Sequence, residues 1–233
     1  MSVDTEANPP REGGRTQERG DVTRQLLVDS ALHEFAASGF EAASTRVIAA
    51  RAGVRQGQLT YHFESKYVLW RAAVDHLFER FGAEFSAGFE PEPDASSASL
   101  FAGSVRALVR SVARLPELNR IMVHEATADS ERLDWIVETH VRARFERVGV
   151  LWRAVRASGA SQLDVDPVIL YYTLLGAASL LYVNAAEARR LVGRAGSRDV
   201  ISDELIEAHA DTLVAMFLGL GAPVPDAKRV RKG

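Results

Sequence analysis

Residues 44–66 read STRVIAARAGVRQGQLTYHFESK, and this stretch decides how the chain is expected to fold. Its first part, Thr45–Ala52, is rich in alanine and free of proline and glycine, and its apolar Ile48 lies one turn before the last residue. This pattern predicts a short helix with a narrow buried stripe. Ser44 stands at the N-cap position, where a hydroxyl can accept from a free backbone N–H. Gly53 follows the last periodic residue, at the place where a left-handed residue ends a helix.

A second short helix is predicted after this turn, at about Arg55–His62. Val54 is expected to point back toward the core, and Leu59 and Phe63 lie one turn apart as the inward anchors. Ser65 is expected to cap the next helix. Two short helices joined by a tight turn that contains glycine predict a helix-turn-helix.

The outward face of the second helix carries hydrogen-bond donors, amides and an aromatic ring, and it carries no acid. Its residues are Arg55, Gln56, Gly57, Gln58, Thr60, Tyr61 and His62. Glutamine can bond adenine bidentately, arginine can bind guanine or phosphate, and a glycine lets the backbone approach a surface closely. Between residues 46 and 66 four bases stand against one acid, which favours a phosphate surface. Polar helix faces also occur in helical proteins that bind no nucleic acid, but the spacing, the turn and the acid-free face together predict DNA binding.

The segment Thr23–Leu69 resembles the TetR family of bacterial transcriptional regulators. Three motifs carry the resemblance: Phe-x-x-x-Gly-Phe ending at Phe40, Ile-Ala-x-x-Ala-Gly-Val ending at Val54, and His-Phe-x-x-Lys ending at Lys66. The resemblance implies an all-α repressor that binds a palindromic double-stranded DNA operator as a homodimer. It also implies a small-molecule effector that releases the operator.

The resemblance further implies which side chains touch DNA. The expected base contacts are Arg46, Gln56 and Gln58. The expected phosphate contacts are Arg24, Ser44, Thr45, Arg55, Thr60, Tyr61, His62 and Lys66. Thr60 departs from the family, because most members have tyrosine at this position, and its shorter hydroxyl is expected to reach a phosphate only through water.

Composition places this helix-turn-helix in an ordinary globular protein. The chain has 233 residues, enough to bury a sizeable core in one large or two small domains. It has no cysteine, which excludes a disulfide framework and a thiolate metal site. Its net charge of -3 means that a basic surface has to be local. No apolar run of membrane-spanning length and no apolar signal core is present, so we expect a cytoplasmic protein with no membrane partner.

No motif indicates an enzyme or a bound metal. His124–Glu125 begins the zinc motif H-E-x-x-H, but the second histidine is missing, and G-x-S-x-G, P-loop and Rossmann glycine patterns are absent. A metal site built from His124, Glu125 and His140 is a weak alternative. We expect no catalytic residue, no metal and no cofactor. An architectural DNA-binding protein without an inducer and an all-α enzyme remain as alternative functions.

The domain organisation follows from the breaks in the helical pattern. We expect a disordered tail at residues 1–20, the helix-turn-helix DNA-binding domain at 21–68, a helical ligand-binding and dimerisation domain at 69–222, and a basic tail at 223–233. Outside the helix-turn-helix, helices are expected at about 22–38, 66–89, 100–114, 116–128, 130–158, 167–186 and 202–220, with a short extra turn at 187–193.

Two of these helices are apolar most of the way round, which predicts burial on most sides. A soluble monomer avoids a large exposed apolar patch, so a two-fold bundle of the helices at 167–186 and 202–220 predicts a homodimer. A purely internal core of a monomer is the alternative. The expected interface residues are Leu174, Ala178, Leu181, His209, Leu213, Met216 and Phe217.

An effector cavity is expected between the fourth helix and the helices up to about Ala186, as the resemblance implies. Its candidate lining is mostly aromatic, which suits an apolar or aromatic ligand with one or two polar groups. The candidates are Phe81, Phe85, Met122, His124, Trp135, His140, Phe145, Trp152, Tyr171 and Tyr172. The fourth helix begins beside the second helix of the motif, so its tilt is the expected link between effector and DNA.

Overall fold

The structure, a computed structural model, describes residues 12–191 and 201–219, and every regular element in these ranges is helical. The all-α prediction is confirmed. Predictions for residues 1–11, 192–200 and 220–233, including the basic tail, lie outside the described residues. The helices are α1 Glu12–Ala42, α2 Thr45–Arg51, α3 Gln56–His62, α4 Lys66–Ala87, α5 Ser97–Arg114, α6 Pro116–Ala126, α7 Glu131–Ile136, a π-helical turn Val137–Val141, α8 Arg142–Ala157, α9 Pro167–Val183, α10 Ala185–Leu191 and α11 Asp203–Leu218.

The chain separates into two compact units, one ending at Leu77 and one beginning at Phe78. This division falls inside α4, and so does the domain limit predicted at residue 68. The domain limits themselves stay a prediction. We call the two parts the N-terminal unit and the C-terminal unit.

The core of the N-terminal unit forms where the apolar periodicity of α1 predicts it. Its α1 residues, at most 3% exposed, are Leu27, Val28, Ala31, Leu32 and Phe35. Ile48 from α2, Leu59 from α3 and Phe63 after α3 are equally buried. Burial of each large apolar side chain contributes about 1.5–3 kcal/mol to the free energy of folding. The two short helices are therefore held in place by their packing on α1, since helices of this length are marginal alone.

Helix α1 begins at Glu12, earlier than the predicted start at Val22, so residues 12–20 of the predicted disordered tail are helical. The polar composition of residues 12–20 led to a predicted start that is too late. These residues extend a helix that is already anchored by its buried side chains, and extension costs far less free energy than nucleation of a new helix. Gly39, with φ 72° and ψ 170°, breaks the helical backbone where the sequence predicts the end of the helix. The backbone resumes helical geometry as far as Ala42.

The turn between α2 and α3 has the geometry that the sequence predicts. Gly53 has a φ of 70°, which a residue with a side chain rarely adopts. The Gly53 N–H donates to the Ala50 carbonyl at 3.1 Å and the Val54 N–H to the Ala49 carbonyl at 3.0 Å. This double hydrogen bond is a Schellman motif, which ends α2 and redirects the chain into α3.

The two predicted serine caps differ in outcome. The Ser65 hydroxyl accepts from the Val68 N–H at 3.1 Å, so the predicted cap of α4 is confirmed. The Ser44 hydroxyl makes no cap bond at the start of α2. The backbone N–H of Ser44 instead donates to the carboxylate of Glu34 at 3.4 Å. Ser44 therefore contributes its backbone N–H to a contact with α1, and the prediction that its hydroxyl caps α2 is wrong.

The core of the C-terminal unit is built by α5, α8, α9 and α11 around three aromatic rings. The Phe101 ring centroid lies 5.1 Å from that of Trp152 and 6.0 Å from that of Phe217. Leu170 and Leu174 of α9 pack into the same cluster. The Ser161 hydroxyl donates to the Phe217 carbonyl at 2.7 Å and ties the loop before α9 to the end of α11.

The single long helix predicted over residues 130–158 is interrupted by the π-helical turn Val137–Val141. A π turn adds one residue to a helical turn and shifts the face that follows it. Helix α9 begins as predicted, with Asp166 accepting from the Val168 N–H at 2.8 Å and Pro167 in the first position. Helix α11 ends at Gly219, with φ 66°, rather than at Gly221.

No single helix in the described ranges is long and apolar enough to cross a membrane. The pair α9 and α10 passes the same test of length and composition, but it bends by 69°.

Most residues predicted at the dimer interface lie inside the protomer. Leu174, Ala178, Leu213 and Phe217 are at most 8% exposed and belong to the core of the C-terminal unit. Leu181 and His209 are half-buried, and the His209 imidazole lies 3.0 Å from the Tyr182 hydroxyl. Among the predicted interface residues only Met216, at 66%, is well exposed. The apolar pattern of both helices is satisfied largely by packing within the chain, which the sequence alone could not separate from packing between two chains.

An ion pair ties α5 to α11. The Arg110 guanidinium donates through Nε and Nη2 to the two carboxylate oxygens of Glu207, both at 2.6 Å, and through Nη1 to the Gly88 carbonyl at 3.2 Å. The Arg110 hydrogen bonds lower the pKa of Glu207. Two parallel bonds from a planar guanidinium are stronger than a single exposed contact.

We predict that Glu207→Gln lowers the free energy of unfolding at pH 7 by about 0.5–1 kcal/mol, the range of a partly exposed pair. The pKa of this carboxyl is lower in the folded chain, so its contribution is present above the ordinary value of 4.5 and is lost as the pH falls through the lowered pKa. Urea unfolding from pH 7 toward acid should therefore show the two proteins converging. Glu146→Gln, at an exposed site on α8, is the control and should match wild type. A difference that stays constant with pH would contradict the ion-pair account.

Candidate functional site

The outer face of α3 is exposed as the sequence predicts. Tyr61 is 85% exposed, and its ring meets the His62 ring edge-on at 5.2 Å. Arg55, Gln56 and Gln58 are also exposed, whereas His62 is half-buried. Gly57 has no heavy atom within 4 Å of the place where a side chain would begin, so its surface is open. This face is held outward by Leu59 and Phe63, which are buried on the opposite side of the chain.

Two glutamines on this face are fixed by hydrogen bonds within the unit. Gln58 Oε1 accepts from the Arg55 backbone N–H at 3.1 Å and so caps the start of α3. Gln56 Nε2 donates to the Thr45 hydroxyl at 3.2 Å and joins α3 to the first turn of α2. Each amide keeps further hydrogen-bonding capacity, since an amide has two donors and an oxygen with two lone pairs. These hydrogen bonds therefore hold the side chains of Gln56 and Gln58 in a defined orientation in the absence of a binding partner.

Thr60 is less suited to its predicted role. Its hydroxyl donates to the Gln56 carbonyl, one turn back, at 3.2 Å. A hydroxyl has a single hydrogen to donate, and a phosphate oxygen needs a donor. Thr60 is therefore a poor phosphate contact in this conformation, both because its side chain is short and because its hydroxyl hydrogen is already donated to Gln56.

Two predicted phosphate contacts are cations held against aromatic rings. Lys66 Nζ lies 4.8 Å from the Phe40 ring centroid and donates to the Glu41 carbonyl at 3.0 Å. The Arg24 guanidinium lies 5.2 Å from the Phe63 ring centroid. Cation–π contact of this kind is worth about 0.5–1 kcal/mol at an exposed site and leaves donors available. Lys66 also secures the end of α1, so its role is partly structural.

The C-terminal unit brings together part of the predicted effector site. Phe81 and Phe85 are 6.1 Å apart, Trp135 meets His140 edge-on at 5.2 Å, and Phe145 meets Tyr171 at 5.4 Å, all between ring centroids. Tyr172 follows Tyr171 but is 68% exposed. Burial raises the pKa of Tyr171, so its hydroxyl stays protonated and can donate.

Three candidates fall outside this group. Trp152 is 2% exposed and lies in the core with Phe101 and Phe217, and its buried indole N–H has no hydrogen-bond partner among the described residues. His124 is exposed on α6, and Met122 is half-buried on the same helix. Within the described ranges, neither has a ring contact or side-chain hydrogen bond that would place it with the aromatic group.

Two residues that were not among the candidates for the cavity lining complete the group. Phe78 stacks on the His140 ring at 4.3 Å with an interplanar angle of 2°. The Arg144 guanidinium lies 5.2 Å from the Phe78 ring centroid and 5.8 Å from that of Phe81. The π-helical turn shifts the face that Arg144 presents, and a helical period of 3.6 residues carried no sign of it. We call Phe78, Phe81, Trp135, His140, Arg144 and Tyr171 the aromatic cluster.

The weak metal-site alternative gains no support in the described ranges, where no group of three His, Cys, Asp or Glu residues could hold a metal ion. Glu125 is buried and forms an ion pair with Arg132 at 3.0 Å. This pairing accounts for a buried carboxylate that the sequence had left as a candidate ligand.

Residues 27–73 match a family model described as bacterial regulatory proteins, tetR family. This range includes α2, α3 and their outer face. No curated protein matches the chain.

Solved structures share the fold over most of the chain. AibR in complex with isovaleryl coenzyme A and operator DNA is 19% identical, with a TM-score of 0.65 and coverage of 84% of this chain and 98% of that one. KstR2, a ketosteroid transcriptional regulator of Mycobacterium tuberculosis, is 18% identical, with a TM-score of 0.64 and coverage of 84% and 94%. The superantigen PfiT is 22% identical, with a TM-score of 0.58 and coverage of 84% and 96%. At these identities the likeness shows the fold alone, so function has to be argued from the residues.

Gln58 has two roles that can be tested separately: its oxygen caps α3, and its amide N–H groups are expected to contact DNA. Gln58→Ala removes both the acceptor for the Arg55 N–H and the amide donors, so we expect about 0.5–1 kcal/mol less stability together with weaker DNA binding. Gln58→Glu keeps the acceptor and loses the donors, so stability should match wild type while DNA binding falls. Thermal unfolding and binding to fluorescent duplex DNA measure the two effects. Equal stability of Gln58→Ala and wild type would show that the cap contributes nothing.

Proposed function

We propose that this chain, a member of the TetR family of bacterial regulatory proteins by its N-terminal domain, represses transcription by binding a palindromic operator as a dimer and releases it when an effector binds. The observation that carries the proposal is the outer face of α3. It presents donors and amides without an acid, on a helix of the kind that lies in a major groove with its N-terminal residues at the base edges. The internal hydrogen bonds of Gln56 and Gln58 fix these side chains in advance and so reduce the ordering that binding would otherwise require.

The expected division of labour on DNA follows from side-chain chemistry. Gln56, Gln58 and Arg46 offer the amide and guanidinium groups that distinguish bases. Lys66 and Arg24, already positioned on aromatic rings, would grip phosphates and fix the register. Thr60 is left out of this set because its hydroxyl hydrogen is already used.

A second copy of the chain would supply the second half-site. Helix α9 carries an exposed stripe of largely apolar residues on one face, which the core does not cover. Its members are Val168, Ile169, Tyr172, Thr173, Gly176 and Leu180. Gly176 lies near the middle of the stripe with open space where a side chain would be, so another helix can approach closely. Met216 on α11 is exposed as well, and a soluble chain gains by covering such a surface.

The effector would bind in the C-terminal unit at the aromatic cluster. Two structural neighbours that are regulators are linked to organic molecules, AibR with isovaleryl coenzyme A and KstR2 with ketosteroids. The cluster offers aromatic walls and a few polar groups, which suits an organic effector. Phe78 and Phe81 belong to α4, the helix that begins at Lys66, so an effector that moves these rings acts on that helix.

We predict that Gln56→Ala weakens binding to the cognate operator by about 1–3 kcal/mol and relaxes preference at one base pair. The reason is the loss of an amide that can bond adenine bidentately. The cognate sequence is first selected from a random duplex library with wild type, and affinities are then measured by fluorescence anisotropy. Arg120→Ala, at an exposed site on α6, is the control and should bind as wild type does. Unchanged affinity and preference in Gln56→Ala would refute the base contact.

If the exposed stripe of α9 is the dimer surface, charged residues introduced on it should prevent dimerisation. Ile169→Glu combined with Leu180→Glu places two charges on the exposed stripe without entering the core, so the chain should fold and sediment as a monomer at micromolar concentration. Its operator affinity should fall more than tenfold, since one half-site contributes fewer contacts. The control combines Val123→Glu with Val150→Glu, at positions 54% and 60% exposed on α6 and α8. A wild-type monomer, or a variant that dimerises as wild type does, would contradict this surface.

A further inference from the structure

Arg144 occupies an unusual position for an arginine. It lies in the first turn of α8, directly after the π-helical turn, and is half-buried. Its guanidinium faces the rings of Phe78 and Phe81, and Nη1 donates to the carbonyl of His140. Side chain and backbone together hold the cation inside the aromatic cluster.

Six other arginines in the C-terminal unit differ from Arg144 in their charged contacts. Those six pair with a carboxylate: Arg106 with Asp211, Arg110 with Glu207, Arg114 with Glu84, Arg132 with Glu125, Arg142 with Glu138 and Arg156 with Asp164. Within the part of the chain that the structure describes, Arg144 has no carboxylate partner. Its charged neighbour is another cation, Arg147, and burial lowers the pKa of Arg144.

A half-buried cation without a counter-ion costs free energy, because desolvation is not offset by an opposite charge. The two rings offset part of this cost through cation–π contact. Nη1 already meets the His140 carbonyl, but the edge formed by Nε and Nη2, which can bind an anion bidentately, has no hydrogen-bond partner among the described residues.

The surroundings of Arg144 match the remainder of an organic ligand. The His140 ring, stacked on the buried Phe78, and the Trp135 ring beside it are half-buried and provide flat ring surface. Tyr171 is half-buried, its ring meets that of Phe145, the residue after Arg144, at 5.4 Å, and its hydroxyl can donate. A cation and a hydroxyl set among aromatic rings form a site for an acid with an apolar body.

We propose that the aromatic cluster binds an organic anion, with Arg144 holding the acidic group and the half-buried rings of His140 and Trp135 contacting an aromatic or acyl body. This inference rests on the proposed function for its role in regulation, and it names the class of effector. A neutral ligand of the same shape would gain the ring contacts and lose the pairing with Arg144.

The test compares two fluorescent probes that differ in one group. 1-Anilinonaphthalene-8-sulfonate carries an anionic group, and N-phenyl-1-naphthylamine is the same ring system without it. Each is titrated into the full-length wild-type chain, Arg144→Gln and Arg147→Gln. The second variant makes the same charge change at the neighbouring, exposed arginine.

We expect Arg144→Gln to weaken binding of the sulfonate at least tenfold and to change binding of the neutral probe less than twofold. Arg147→Gln should bind both probes within twofold of wild type. Circular dichroism confirms folding, and Arg144→Lys, which keeps the charge but loses the planar fork, should lie between wild type and Arg144→Gln. Equal loss of both probes, an unchanged sulfonate affinity, or no saturable binding of the sulfonate by wild type would overturn the proposal.

DNA binding is measured separately, so that failure of the site and failure of the function can be told apart. Arg144→Gln should bind the selected operator as wild type does, because Arg144 lies outside the N-terminal unit. If the probes behave as expected but the sulfonate leaves operator affinity unchanged, the anion site stands and the release mechanism fails. If the protein binds no specific DNA, the regulator proposal fails while the probe result still decides the site.

Discussion

The backbone reversal at Gly53 is the constraint on which the N-terminal unit depends. Its positive φ allows two hydrogen bonds to close the end of α2, and the chain then enters α3 at a fixed angle. Leu59 and Phe63 consequently point into the core formed by α1, and the opposite face of α3 is turned outward. A side chain at position 53 would strain this backbone even though open space surrounds it. The exposure of the polar face thus follows from one conformational requirement and the burial of two apolar anchors.

Two kinds of contact position cations in this chain. In the C-terminal unit most arginines with a defined contact meet a carboxylate, as in the pair between Arg110 and Glu207 that joins α5 to α11. In the N-terminal unit, Arg24 and Lys66 lie over aromatic rings, and neither forms an ion pair with a carboxylate of the described residues. This difference lets a chain with a net charge of -3 keep a surface suited to phosphates. Arg144 of the C-terminal unit resembles Arg24 and Lys66, because it lies over aromatic rings and has no carboxylate partner among the described residues, and this resemblance marks it as a binding group.

The sequence predicted most of the fold because the local signals were strong and agreed with each other. The turn between α2 and α3, the cap at Ser65 and the start of α9 at Pro167 each depend on contacts between residues close in the chain. Predictions failed where a contact depends on how one helix packs against another. Ser44 meets the carboxylate of Glu34 instead of capping α2, and Leu213 and Phe217 pack within the protomer. The π-helical turn shifts the face of α8 and brings Arg144 to Phe78, which a regular helical period could not reveal.

The most direct test of the central claim is the sequence that the wild-type chain selects from a random duplex library at physiological salt. If α3 of two chains reads successive half-sites, the selected DNA is an inverted repeat with half-site centres separated by one helical turn, about 34–36 Å, or by a multiple of it. Two chains, or a multiple of two, should bind per selected site. Selection of no common sequence, or of a single unrepeated element bound by one chain, would contradict the account.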